Sequence, residues 1–128
     1  MQVPQLTIFE QVGGAATFIR LADEFYRRID TDPDIRGMFP ADLTGAKERL
    51  GLFLIQYFGG PSTYSEQRGH PRLRMRHVPF SIGQAERDIW VGHMLGAIDS
   101  LGIEEPARTQ MIEYFERGAT FMINRDDS

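Results

Sequence analysis

Apolar residues recur at helical spacing in several long stretches of this chain, and no stretch alternates as a half-buried strand does, so the pattern predicts an all-α fold. From Ala15 to about Asp30, Phe18, Ile19, Ala22, Phe25, Tyr26 and Ile29 form one stripe. From about Asp42 to Phe58, Leu43, Ala46, Leu50, Phe53, Leu54 and Tyr57 share a face, with Arg49 at its edge, and Gly59-Gly60 stops the helix. A third helix aligns Trp90, Met94, Ala97, Ile98 and Leu101 behind a capping box that starts at Ser81 and ends at Gln84. Gly102 ends it, and Pro106 starts a fourth with Ala107, Met111, Tyr114, Phe115, Gly118 and Met122 inward. Shorter turns are expected over Ile8 to Val12, capped by Thr7, and after Thr31-Asp32-Pro33.

At 128 residues the chain fits one domain, 1–128, with an ordered core of about 6–123 and a short polar tail over 124–128. No internal repeat or linker divides it. Cysteine is absent, which excludes disulfides, thiolate ligands and cysteine nucleophiles. The N-terminus reads as neither leader nor anchor, and no stretch approaches the roughly 20 apolar residues of a membrane span. A soluble, cytoplasmic protein is expected.

The longest non-periodic stretch runs from Pro61 to Phe80; a connection of that length in a small domain is usually functional or disordered, and the arginine-rich composition with regular chain on both sides favours functional. Its second half, Arg68 to Phe80, holds two of the three histidines and four of the fourteen basic residues, broken by Pro71 and Pro79. An anion or a metal is the natural partner. Arg72, Arg74 and Arg76 alternate with Leu73 and Met75, which suits an object with an apolar body and an anionic edge; a solvated loop is the plainer alternative. A nucleic-acid backbone is disfavoured by a net charge of −4 and by the lack of an aromatic ladder. His77 lies beside Val78-Pro79-Phe80, where a neutral imidazole could ligate iron or simply serve as a hydrogen-bonded core residue. His70 is too far along the chain to ligate beside it on one helical face, and no zinc spacing is present. Tyr26 and Trp90 each put one donor on an otherwise apolar face. Either a backbone carbonyl satisfies each, or both point into a cavity.

Taken together, Val12-Gly13-Gly14 with Phe18, Phe25-Tyr26, Phe39-Pro40, Glu48-Arg49-Leu50, Gln56 to Pro61, the long block Thr63 to His77, and Glu86-Arg87-Asp88 with Trp90 resemble the truncated haemoglobins of group II, the type common in actinobacteria. The resemblance runs from about Phe9 to Ile123. It implies a globin-like, two-over-two helical sandwich with a long irregular segment before the proximal histidine, holding haem b.

By that resemblance His77 matches the iron ligand, Tyr26 the distal tyrosine and Trp90 the group's tryptophan. Ala46 and Leu50 fall on the distal face, and Ala46 leaves it without an imidazole. Phe39 stands where many members have a tyrosine, so it can wedge the haem but cannot donate. Arg49, Tyr64, His70 and Arg76 are implied at the propionates, and Phe53, Leu73, Phe80, Ile89 and Met94 at the apolar walls. The implied function is reversible binding of dioxygen, CO and NO at a pentacoordinate iron. The alternative is a haem-based redox enzyme, with peroxidase-like or nitric oxide dioxygenase activity. Partners are diatomic gases and an unidentified reductase, with a homodimer left open and neither nucleic acid nor membrane expected.

Overall fold

The computed structural model describes residues 6–126. The N-terminal segment read for a leader and the end of the expected polar tail lie outside them. Among the described residues every regular element is helical: α1 (Ile8–Gln11), α2 (Ala15–Asp30), a 3₁₀ turn (Arg36–Met38), α3 (Thr44–Tyr57), α4 (Thr63–Arg68), α5 (Leu73–His77), α6 (Gln84–Leu101) and α7 (Ala107–Phe121). Helix α2 packs on both α3 and α6, and α6 packs on α7, which makes the two-over-two sandwich.

Local chemistry explains the boundaries. Thr7 caps α1 by accepting from the Glu10 amide, and the Glu10 side chain returns to the Thr7 amide, closing a capping box. Gly59 at φ +107° ends the chain's run through α3, and a Cβ there would lie 2.6 Å from Thr7 Cβ. Helix α6 ends on Gly102 in the left-handed region.

Burial departs from the expected stripes in identifiable places. Ile19 is 53 % exposed, while Leu21 is fully buried. The helices α2 and α3 touch at Gly51, where a Cβ would stand 4.0 Å from Ile19 Cα, so Ile19 offers its backbone to the contact and its side chain spills out at the edge. Tyr57 is 52 % exposed and Ile55 is buried in its stead. The cap of α6 is Gly83, not Ser81: Ile82 and Gly83 are buried, and the Gly83 amide donates to Glu86 Oε1 at 2.8 Å. The segment 61–80, expected to be irregular, carries α4 and α5. Neither is long enough to show a periodic stripe, and Tyr64 is the single buried side chain of α4.

Candidate functional site

A cavity of about 560 Å³ opens between α2, α3, α5, α6 and α7. Its walls bring together Tyr26, Phe39, Ala46, Arg49, Leu50, Phe53, Tyr64, Leu73, Arg76, His77, Phe80 and Trp90. These come from helices α2, α3, α4, α5 and α6 and from the loops after the 3₁₀ turn and after α5, so their convergence is a product of the fold.

Three residues expected at a cofactor are not on its wall. His70 is exposed, and its Nδ1 accepts the Arg72 amide at 3.0 Å. Met94 is fully buried in the core, and Ile89 packs half-buried against that core. On α6 the cavity takes Trp90 and, at the helix start, Glu86 and Arg87. Sequence reasoning gave no site role to Arg68, Met38, Ile82 or Ala119, nor to the face Phe115, Gly118 and Met122 of α7. That last set has helical spacing and was visible as a stripe, but a stripe does not say whether it meets side chains or a cavity.

His77, on the last turn of α5, has an assigned proton. Its Nδ1 lies 2.5 Å from the Leu73 carbonyl, which can only accept, so Nδ1 is the donor, and in the neutral ring Nε2 carries the lone pair. Phe80 lies 6.4 Å away, ring to ring. The Asn124 amide nitrogen donates to the carbonyls of Phe80 at 2.8 Å and His77 at 3.3 Å, while its oxygen accepts from the Ile82 amide at 2.8 Å. Asn124 therefore clasps both ends of the α5–α6 connection, a role its place in a polar tail did not suggest.

Across the cavity, Tyr26 is buried between Phe25, at 5.0 Å, and Phe39, at 5.7 Å, both edge-on. Burial pushes its phenol up to about 12, with the Arg49 guanidinium pulling the other way. Trp90 packs between Phe25 at 5.0 Å and Phe115 at 5.9 Å. Among the described residues, no protein group accepts from the Tyr26 hydroxyl or the Trp90 indole N–H, and neither atom is sealed from the cavity. Both donors reach the cavity without a protein acceptor, so they are available to a polar ligand in an otherwise apolar space.

The wall bearing Phe39 is set by Arg36. Its guanidinium donates to the carbonyls of Phe39, Pro40 and Ala41 and to Asp30 Oδ1. His93, whose role the sequence left open, pairs with Asp32 at 2.7 Å and so ties α6 to the turn after α2.

At the mouth, Arg49, Arg68 and Arg76 are exposed and make no ion pair with a described carboxylate; the Arg76 guanidinium donates to the Arg68 carbonyl at 3.3 Å. Among the described residues no three His, Asp or Glu gather as a metal site. A metal here would be carried by a ligand of its own. One free imidazole nitrogen, apolar walls and a rim of unpaired guanidiniums fit a flat, iron-bearing, dianionic macrocycle such as haem.

Comparison with known proteins bears on the same point. The family model for bacterial-like globins matches residues 7–124. A group 2 truncated haemoglobin of Bacillus subtilis is 37 % identical over 115 residues, 90 % of this chain and 87 % of that one. The haemoglobin of the thermophilic phototroph Chloroflexus aurantiacus is 59 % identical, superimposes with a TM-score of 0.93 and covers 94 % of this chain and 100 % of its own. The group II truncated haemoglobin of Bacillus anthracis is 36 % identical, with a TM-score of 0.94 and coverage of 98 % and 97 %.

Proposed function

Because the chain belongs to the bacterial-like globins, and within them to the group II truncated haemoglobins, whose cofactor is haem and whose chemistry is gas binding, we propose that His77 holds haem b and that Tyr26 and Trp90 serve a diatomic ligand, dioxygen first among them. When bound, haem supplies a ferrous iron that takes up such gases reversibly.

The observation that carries this reading is the pair of unaccepted donors, Tyr26 O–H and Trp90 N–H, lining one apolar cavity with His77 Nε2. The Leu73 carbonyl fixes the His77 tautomer and ring orientation, which raises the basicity of the ligating nitrogen. Arg49, Arg68 and Arg76 are available to the propionates at the rim, with Tyr64 beneath them. On the far side Ala46 and Leu50 keep the wall small and apolar, excluding water, so donation to a polarised gas falls to Tyr26 and Trp90. Phe39 adds shape without a further donor.

Absorption spectra of the ferric, ferrous and dioxygen-equilibrated protein test the proposal. A Soret band and a reversible change with dioxygen are expected. His77→Ala should lose the five-coordinate ferrous spectrum and regain it with added imidazole; an unaltered ferrous spectrum in that variant excludes His77 as the ligand.

A further inference from the structure

The cavity wall beside Tyr26 is built from chain that has no helix to hold it. The 3₁₀ turn ends at Met38, and Phe39 leaves it extended, at φ −117° and ψ 155°. Met38, Phe39 and Pro40 nevertheless line the cavity, while Pro40 and Ala41 are exposed to solvent. One side chain secures this strip. Arg36 Nε donates to Asp30 Oδ1 at 2.9 Å, one terminal nitrogen donates to the Phe39 and Pro40 carbonyls at 3.3 and 2.9 Å, and the other donates to the Ala41 carbonyl at 2.9 Å. Three successive carbonyls thus converge on one planar group whose donors are fixed in direction.

The base of that group is fixed as well. The Asp32 carbonyl accepts from the Ile35 and Arg36 amides at 3.3 and 2.9 Å. The Asp32 carboxylate accepts from the Asp34 amide at 2.9 Å and pairs with His93 of α6 at 2.7 Å. Arg36 therefore carries the position of the α2–α6 frame out to Phe39. Phe39 in turn stands edge-on to Tyr26, 5.7 Å between centroids with the planes 86° apart, and Phe25 closes on the same phenol at 5.0 Å. Were Phe39 released, one side of the Tyr26 ring would open and water would reach its hydroxyl. A donor already bonded to water must give up that bond before it serves a ligand.

We propose that Arg36 is a positioning residue for ligand discrimination. By gathering the carbonyls of Phe39, Pro40 and Ala41 onto one guanidinium it holds Phe39 against Tyr26, keeps water out, and reserves the Tyr26 O–H for a gas that binds with negative charge, dioxygen, over one that binds with little, CO. The inference rests on the haem reading and deepens it, because it assigns the aim of one distal donor to a side chain outside the cavity.

The test measures release of dioxygen and of CO from the haem-loaded full chain by stopped flow. Arg36→Lys keeps the charge beside Asp30 and loses the fork that spans three carbonyls. Dioxygen release should quicken by roughly two- to tenfold, the range of one net hydrogen bond, while CO release keeps its natural rate. Asp30→Asn spares the carbonyl bonds and should release both gases as the natural chain does. Arg36→Gln carries the same comparison should the lysine variant not fold. In the haem-free chain, the phenolate absorbance that Tyr26→Phe removes should appear at about 12, and nearer 10 in Arg36→Lys, as water reaches the phenol. Both gases leaving faster together, an unchanged dioxygen rate in Arg36→Lys, or an equal acceleration in Asp30→Asn overturns the proposal and leaves the haem reading intact. A chain that shows no Soret band on adding haem overturns both.

Discussion

At Trp90 the indole is held between two rings, Phe25 and Phe115, so its N–H direction is set before any ligand arrives. Preorganised donors cost no reordering when charge appears in front of them. Trp90→Phe keeps an aromatic body in that clamp and removes the donor alone. A hydrogen bond to a charged acceptor contributes about 1.5–3 kcal/mol, so dioxygen release measured by stopped flow should speed by roughly ten- to a hundredfold. An unchanged rate would take Trp90 out of the ligand's reach. Tyr26 behaves differently because its environment also acts on its proton. Its phenol is raised from 10.0 to about 12 by burial, so the folded state holds that proton more tightly than the unfolded chain. The stabilisation is fully present below pH 10 and is lost as pH rises through about 12. Its size is on the order of 2–3 kcal/mol. Denaturant midpoints taken below pH 10 and near pH 12 should therefore converge more in Tyr26→Phe than in the natural chain; equal pH dependence would deny the phenol that burial effect. Phe39, edge-on to Tyr26 and lacking a hydroxyl, leaves the Tyr26 proton free for a ligand.

At the scale of elements, the weak member is α5, five residues carrying the proposed ligand. A helix that short has almost no stability of its own. It is held from outside: at its end by Asn124, and along its length by Arg76 reaching the Arg68 carbonyl and by Arg74 over the Phe121 ring at 5.2 Å. Asn124→Ala removes three side-chain hydrogen bonds, each contributing about 0.5–1.5 kcal/mol net. The expected result is faster transfer of haem to an apo-globin acceptor, with helical content by circular dichroism almost unchanged. Haem loss at the natural rate would mean that α5 is held without the clasp. Asn124 also marks where sequence reading stops. The bounds of α2 were legible because Gly13-Gly14 precede it and Thr31-Asp32-Pro33 follow, and local punctuation acts over a few residues. Asn124 serves backbone groups more than forty positions away. Arg36 likewise serves three successive carbonyls that no residue type encodes. Tyr26 and Trp90 stood out because a lone donor on an apolar face is conspicuous whatever its partner. The α6 cap was misplaced because Ser81 is the better capping residue by type, whereas burial of Ile82 and Gly83 moves the start to Gly83 and gives the capping role to Glu86.

For the molecule as a whole, the pattern of burial sets a limit on the haem-free state. Phe18, Leu21, Phe25, Ile29, Leu54, Met94, Ile98 and Met111 are sealed, forming a core between α2, α3, α6 and α7, of which Phe25 and Leu54 also back the cavity wall. Phe80, Met75 and Val78 are exposed, at 43 %, 57 % and 66 %, and the 560 Å³ cavity lies on the side where α5 closes the structure. Side chains facing a space lose dispersion contacts on that side, so the walls gain most when a ligand fills it. A ligand that binds the folded chain alone stabilises it by about 4 kcal/mol at a free concentration of 1,000 times its Kd. At this chain length 1 kcal/mol corresponds to about 4 °C in Tm, so haem loading should raise the midpoint by ~15 °C. The core should remain folded without haem, since six of its eight sealed residues lie off the cavity wall. Differential scanning calorimetry of the apo and haem-loaded protein checks both halves of this expectation. Equal midpoints would mean the cavity walls are already satisfied, and a haem-free chain without a cooperative transition would mean the core depends on the cavity after all. In His77→Ala the gain should shrink, because apolar burial persists while the axial bond is gone; a full gain in that variant would show that packing alone holds the haem.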